Sequence, residues 1–138
     1  DYRVLLDSVI HKIWEQIPEP LRNNNSINYI YCLSSYSAAV LSALTYKGIE
    51  IEAFIDDNRT GVTTYKHAEV HVRSLDDIDC TEQRSTPAGI EKRFFVCHPS
   101  KKVYKRIKVR LLDRGILDKN IVWIRFFQVL EREYWDSI

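Results

Sequence analysis

The sequence is poor in the residues that mark unusual classes of protein. Its 138 residues include only 4 glycines and 4 prolines, beside 45% hydrophobic and 12% aromatic residues. Disordered, collagen-like and low-complexity chains have the opposite balance, because they bury too little apolar surface to fold. The length fits one domain, since domains typically take roughly 100–200 residues. We therefore expect one folded domain with an ordinary core.

Cysteine is sparse and methionine is absent. Cys32, Cys80 and Cys97 are an odd number with no CxxC spacing, which excludes a disulfide framework and a structural zinc site of the usual spacing. This usage indicates a reducing compartment, so we predict a cytoplasmic location. Because no methionine is present, not even an initiator, we expect the chain to be a piece of a longer protein.

Neither a charge of one sign nor a long apolar run dominates the chain. The 20 lysines and arginines face 19 aspartates and glutamates, giving a formal net charge of +1. Overall charge therefore does not favour a nucleic acid or an anionic membrane. No apolar run approaches the roughly 18–20 residues of a membrane span, and the charged start lacks the core of a signal peptide. We expect neither nucleic acid nor membrane as a partner.

What the sequence does contain is an alternation of helical and strand patterns. The prediction, in chain order, is an amphipathic helix over 1–17, a strand over 27–33, a helix from Ser34 or Ser35 to Lys47 closed by Gly48, a strand over 49–55, an acidic turn over 56–61, a short strand over 69–72, a helical turn over 74–78, a polar loop over 80–91, a strand over 93–97, a helix over 101–114 closed by Gly115, a strand over 121–124 and a short helix over 128–135. Strand, helix and strand within about 30 residues form a βαβ unit with parallel pairing. We predict an α/β fold, a Rossmann-like three-layer domain over residues 27–138 with a mostly parallel sheet of four to five strands. Residues 1–26 would form an N-terminal helix and connector.

Candidate ligand-binding residues follow three of the predicted strands. In open α/β sheets the ligand crevice lies beyond the carboxyl ends of the strands, where strand order reverses. The residues at these ends are Cys32, Ser34, Ser35, Ser37, Asp56, Asp57, His98 and Ser100. Cys32, Ser34 and Ser37 have the spacing of G-x-G-x-x-G between a strand and a helix, although none is glycine. Helix N–H groups and serine hydroxyls there would hold an anion. The serines also fit an N-cap and close packing without a ligand, so both interpretations stay open.

An acidic side chain stands near the position that dinucleotide sites use for ribose. Asp56 lies 24 residues beyond Cys32, close to the offset of roughly 20 residues at which a carboxylate accepts hydrogen bonds from ribose hydroxyls. Such a carboxylate would repel a 2′-phosphate and so disfavours NADP. Asp56 is a better candidate than Asp57 because it adjoins the strand. A turn over these acidic residues is an equally good interpretation.

Two further features carry competing interpretations. Cys32 and Cys97 would end neighbouring strands of a 3-2-1-4-5 sheet, where a metal or redox site is conceivable, although free cysteines are usually buried and inert. The helix over 101–114 carries seven basic residues, Lys101, Lys102, Lys105, Arg106, Lys108, Arg110 and Arg114. They fit a solvated face, an acidic partner protein or a nucleotide phosphate at Lys101. No nucleophile, base and orienting group stand at the spacing of a known catalytic motif.

Three segments together resemble a known family. The patterns over 29–37, over 47–58 with its Phe-Ile-Asp-Asp-Asn end, and over 96–100 are similar to the Rossmann-like nucleotide-binding domain of bacterial polysaccharide-biosynthesis proteins. This group includes the N-terminal domains of sugar-nucleotide acyltransferases and of membrane-linked nucleotide-sugar dehydratases. The resemblance implies phosphate contacts at Cys32, Ser34 and Ser37, a nucleoside contact at Asp56, and a UDP-sugar or NAD as ligand.

The expected function is therefore a nucleotide-binding or nucleotide-sugar-binding module of a larger carbohydrate-biosynthesis protein. The chain lacks the hexapeptide repeats of an acyltransferase catalytic domain, so that activity is not implied, and we expect no complete catalytic apparatus. The alternative starts from the loss of all three glycines. A domain that has lost its ligand in this way would scaffold contacts with a second copy or with other domains of its parent protein, through its first helix or its basic helix.

Overall fold

The chain folds around a six-stranded sheet with helices on both faces. The computed structural model describes residues 2–33, 35–58, 60–65, 68–78 and 90–125. The elements are α1 (Tyr2–Glu15), β1 (Ser26–Tyr31), α2 (Ser35–Tyr46), β2 (Ala53–Ile55), β3 (Gly61–Tyr65), β4 (Ala68–Arg73), β5 (Glu91–Val96), α3 (Lys101–Asp113) and β6 (Ile121–Trp123), with 3-10 turns at Glu19–Leu21, Leu75–Asp77 and Asp118–Asn120. The predicted α/β fold with a mostly parallel sheet is confirmed.

The strand order places the crevice. The sheet runs β3-β4-β2-β1-β5-β6. The strands β4, β2, β1, β5 and β6 are parallel to one another. Counted along the chain, these five parallel strands have the expected order 3-2-1-4-5. The order reverses between β1 and β5, so the ligand crevice of this class of sheet lies beyond the carboxyl ends of these two strands.

Within the described ranges the sheet has six strands, and the prediction of four to five was wrong. The additional strand is β3, which is antiparallel to β4. The acidic turn predicted over 56–61 runs directly into it, because Gly61 is already its first residue. The valine, threonines and tyrosine that follow are β-formers, and pairing with β4 stabilises them as a strand.

The strand predicted over 49–55 is also shorter, because β2 covers only Ala53–Ile55. Just before β2, Glu52 N–H donates to the carbonyl of Asn28 in β1 at 2.8 Å. Further back, side chains hold the backbone at Glu50. Asn24 Oδ1 accepts a hydrogen bond from the N–H of Glu50 at 2.9 Å, and Asn28 Nδ2 donates to the carbonyl of Glu50 at 3.2 Å. These two asparagine side chains bond the N–H and the carbonyl of Glu50, which a longer β2 would use to pair with a neighbouring strand.

Two glycines end their helices as predicted. Gly48 and Gly115 follow α2 and α3 with φ of 84° and 93°, a left-handed conformation that favours glycine. After α3, the N–H of Ile116 donates to the carbonyl of Leu111 at 3.1 Å. This bond belongs to a Schellman motif, which satisfies the last carbonyls of a helix.

Apolar side chains cover both faces of the sheet. Alternate residues of β1 point to opposite faces, as expected for a strand: Ile30 packs in a cluster with α1 and α2, whereas Tyr29 and Tyr31 pack in a cluster with α3. The helices therefore form one layer on each side of the sheet. α1 contributes Val9, Ile10 and Ile13 to the first cluster, so it shares one core with α2 and the sheet.

Across the described ranges, no helix has the length and apolar character needed to cross a bilayer. Two predictions lie outside the described residues. They are the helix over 128–135 and most of the polar loop over 80–91, which contains Cys80.

Two adjacent leucines of α3 test which face of this helix packs on the sheet. Leu111 is 0% exposed and Leu112 is 41% exposed. We expect Leu111→Ala to lower the free energy of unfolding by about 2–5 kcal/mol, because it leaves a cavity in the core. Leu112→Ala is the matched control and should cost about 1 kcal/mol or less. Urea denaturation measures both changes, and equal costs would contradict the orientation of α3.

Candidate functional site

A cavity of about 500 Å³ lies between the carboxyl ends of the central strands and α3. Its lining residues are Tyr31, Cys32, Leu33, Asp56, Asp57, Asn58, His98, Val103, Arg106, Ile107 and Arg110. This is the crevice position that the reversal of strand order predicts. The structure thus brings together four of the predicted site residues, Cys32, Asp56, Asp57 and His98.

The turn after β1 has a glycine-like backbone without a glycine. Cys32 has φ of 81°, in the left-handed region that costs a non-glycine residue roughly 1–2 kcal/mol. Its N–H donates to the carbonyl of Ile55 at 2.8 Å. The first position of the glycine spacing therefore keeps the conformation for which glycine is suited, although the side chain is cysteine.

Asp56 holds this turn against the end of β2. One of its carboxylate oxygens accepts a hydrogen bond from the N–H of Leu33 at 3.1 Å, and the other accepts from the N–H of Asn58 at 2.8 Å. The N–H groups of Cys32 and Leu33 are thus bonded to protein acceptors and are not presented to a phosphate. Each carboxylate oxygen can accept a second hydrogen bond, so Asp56 keeps acceptor capacity for a ligand hydroxyl.

Asp57 connects the sheet to α3. The hydroxyl of Tyr31 donates to Asp57 Oδ2 at 2.7 Å, and Arg110 forms an ion pair with the same oxygen. Burial, and then the neighbouring Asp57 carboxylate, raise the pKa of Tyr31. The phenol therefore stays protonated as a donor, and Arg110 pairs at the cavity with a carboxylate that Tyr31 also contacts.

His98 presents a neutral imidazole to the cavity. Its Nδ1 accepts a hydrogen bond from the N–H of Ser100 at 3.0 Å, so the ring proton lies on Nε2. Burial, and then the positive charge of Arg106, lower the pKa of His98. Trp123 Nε1 donates to the carbonyl of His98 at 2.8 Å and fixes its backbone. Nε2–H is therefore a positioned donor.

The structure does not place Ser37 and Ser100 of the predicted site at the cavity. Ser100 Oγ accepts a hydrogen bond from the N–H of Val103 at 3.3 Å, so Ser100 is the N-cap of α3. Ser37 is completely buried in α2, and neither it nor Ser100 lines the cavity. Ser35 is the first residue of α2, and Ser34 lies outside the described residues, so their ligand contacts stay predictions.

The two described cysteines are not activated thiols. Burial, and then the charges of Asp56 and Asp57, raise the pKa of Cys32 to about 12. Complete burial raises the pKa of Cys97 well above its usual value. Cys97 packs with the α1 and α2 cluster, whereas Cys32 packs against the α3 cluster. Within the part of the chain that the structure describes, no three His, Cys, Asp or Glu side chains converge as metal ligands. These observations do not favour a metal or redox site.

Sequence reasoning missed the cavity wall formed by α3. The residues Val103, Arg106, Ile107 and Arg110 line the cavity. Their spacing of three, one and three residues places them on one helix face, a signal that the sequence does contain. The sequence did not indicate which face of the basic helix would adjoin the strand ends.

A second cavity, of about 680 Å³, lies at the amino end of β1, opposite the strand ends described above. Its lining residues include Asn24, Asn28 and Thr45. Asn24 Nδ2 donates to the carbonyl of Gly48 at 2.7 Å, and Asn28 pairs with Glu50 as described above. Its amide side chains thus hold the chain before β2. They stabilise the fold, and this cavity is not at the carboxyl ends of the strands, where ligands bind in this class of sheet.

No protein-family model, curated protein or solved structure matches the chain. The resemblance to polysaccharide-biosynthesis domains therefore stays a prediction, and the geometry of the cavity carries the functional argument.

The conformation of Cys32 can be tested by two substitutions that both remove the thiol. We expect Cys32→Gly to be more stable than Cys32→Ala by about 1 kcal/mol, because a positive φ suits glycine. The control is Lys105, an exposed position within α3. There glycine should be less stable than alanine by about 1 kcal/mol. Urea denaturation compares the pairs, and the same sign at both positions would contradict the geometry of the turn.

The environment of His98 makes a prediction about its titration. Proton NMR of the imidazole should give a pKa below the usual value of about 6.5, and Arg106→Gln should raise it by removing a neighbouring positive charge. Because the folded pKa is lowered, the contribution of His98 to stability is complete above about pH 6.5 and is lost as the pH falls through the folded pKa. Lys105→Gln is the control with the same change of charge. A wild-type pKa above 6.5 would refute this environment.

Proposed function

We propose that the chain is a Rossmann-like domain that binds a nucleotide or nucleotide sugar in the cavity between its strand ends and α3. The observation that carries the proposal is this cavity of about 500 Å³ at the reversal of strand order. Small-molecule sites in proteins typically measure roughly 300–1,000 Å³ and occur at this position in open α/β sheets.

The chemistry of the lining supports a nucleotide. The end of β2 supplies a carboxylate, Asp56, with acceptor capacity for ribose hydroxyls. α3 supplies the guanidinium groups of Arg106 and Arg110, and the apolar side chains of Val103 and Ile107 line the cavity on the same helix face. A ligand that fits this lining has hydroxyl groups, an apolar ring face and an anionic group. Nucleotides and nucleotide sugars combine all three.

The same lining favours binding over nucleophilic catalysis. The Cys32 thiol stays protonated at neutral pH because its pKa is raised to about 12. The Nδ1 atom of His98 is already bonded to a backbone N–H. We therefore assign recognition, and not a reaction, to this domain. Chemistry on a bound UDP-sugar would belong to another part of a larger carbohydrate-biosynthesis protein.

One observation favours the scaffold alternative. The N–H groups of Cys32 and Leu33 donate to Ile55 and Asp56, so the turn does not offer the phosphate cradle of a glycine-rich loop. A domain that had lost its ligand would keep this arrangement for its contribution to the fold. It would then act through protein contacts of α1 or of the basic helix α3.

Titration with UDP-glucose, NAD and S-adenosylmethionine tests the proposal. Calorimetry measures affinity, and amide NMR spectra locate the ligand. We expect UDP-glucose or NAD to shift the amide signals of Leu33, Asn58 and Arg106 at the cavity. The amides of Thr45 and Glu50, at the amino end of β1, serve as internal controls, and their signals should not shift. Binding of none of the three ligands at millimolar concentration would overturn the proposal and favour the scaffold.

A further inference from the structure

Two arginines of α3 face the cavity one helical turn apart. Arg106 and Arg110 are separated by four residues, a spacing that places side chains on one helix face with Cβ atoms roughly 6 Å apart. Both line the cavity, and His98 lies close enough to Arg106 for that positive charge to lower its pKa. Three side chains with nitrogen donors therefore line the same cavity.

The turn after β1 is the usual place for phosphate in this class of sheet, but here its donors are occupied. Cys32 N–H donates to the carbonyl of Ile55 at 2.8 Å, and Leu33 N–H donates to Asp56 at 3.1 Å. A phosphate at this turn would have to displace both bonds. It would also lie beside the carboxylate of Asp56, which repels it.

We propose that Arg106 and Arg110, with the Nε2–H of His98, hold the phosphate groups of the ligand, in place of the turn after β1. This inference rests on the proposed function, because it concerns a nucleotide in the same cavity. Guanidinium groups suit the role because their planar fork matches the oxygens of a phosphate and remains charged at all relevant pH values.

Asp57 prepares Arg110 for this role without using up its donors. The ion pair joins Asp57 Oδ2 to one terminal nitrogen, Nη1, of Arg110. A guanidinium has five N–H donors, so Arg110 can keep this bond while its other nitrogens donate to phosphate. Asp57 is itself held by the buried hydroxyl of Tyr31. Asp57 is thus a positioning residue for Arg110.

Different lining residues of the cavity then recognise different parts of one ligand. Asp56 meets hydroxyl groups, and the two arginines meet phosphate. A nucleoside diphosphate, free or linked to a sugar, fits the cavity better than a nucleoside, because only the diphosphate has phosphate groups for Arg106 and Arg110.

The experiment compares nucleotides with their nucleosides. UDP and ADP, with uridine and adenosine, are titrated into the chain and into Arg106→Gln and Arg110→Gln by calorimetry. We expect each substitution to weaken diphosphate binding about 10-fold or more, since each removes a charged hydrogen bond, and to leave nucleoside binding unchanged. Arg110→Lys keeps the charge without the fork, so it should lie between Arg110→Gln and the wild type.

Lys105→Gln is the matched control, because it removes the same charge from the same helix at an exposed position outside the cavity. It should change the diphosphate affinity by about 3-fold or less, the effect of a screened surface charge. Circular dichroism checks that each variant is folded. Arg106→Gln alters an exposed side chain, so it keeps the test decisive where Arg110→Gln unfolds.

The outcomes separate this inference from the proposed function. If the wild type binds UDP or ADP and the arginine variants bind it within 3-fold of wild type, the arginine site is wrong while nucleotide binding stands. If the variants lose nucleoside and diphosphate affinity equally, the arginines do not act on phosphate and the inference is again overturned. If the wild type binds none of these ligands, nor NAD, at millimolar concentration, the proposed function fails and the inference falls with it.

Discussion

The central position of β1 determines where the chain can build a site. β1 is paired in parallel with β2 on one edge and with β5 on the other, and its side chains are buried on both faces. The ladder continues one residue past the strands, since Cys32 N–H donates to Ile55 and Cys97 N–H donates to Tyr31. The helices that follow β1 and β5 then diverge to opposite faces of the sheet. The space between the diverging chains becomes the cavity.

The acidic residues after β2 do two jobs at once. Asp56 accepts a hydrogen bond from Leu33 N–H in the turn after β1 and another from Asn58 N–H in its own turn. Asp57 accepts from Tyr31 and pairs with Arg110. Such charge-assisted hydrogen bonds are stronger than neutral ones. They hold the turn after β1, in which Cys32 has a positive φ that glycine would adopt with less strain. The shape of the turn after β1 is therefore energetically coupled to these carboxylates.

The sequence predicted those features that depend on local patterns. The helix ends at Gly48 and Gly115 and the residues after the parallel strands were identified, because caps, hydrophobic periodicity and the strand-end rule act over a few residues. β3 was missed, since its stability depends on pairing with β4. The place of Arg106 and Arg110 at the cavity was missed for a similar reason. Periodicity shows that the two arginines share a helix face, but only the packing of α3 shows that this face lines the cavity.

The pairing of β1 with β5 also sets the order in which the domain can assemble. Ser26 pairs with Glu91, 65 residues further along the chain, whereas α1, α2 and β2 find their partners nearby. During synthesis the early elements can pack first, while one edge of β1 keeps unpaired backbone groups that are prone to non-native pairing. The cavity gains its second wall only when α3 is present. A ligand that binds there stabilises the finished domain, and it cannot assist the earlier steps of folding.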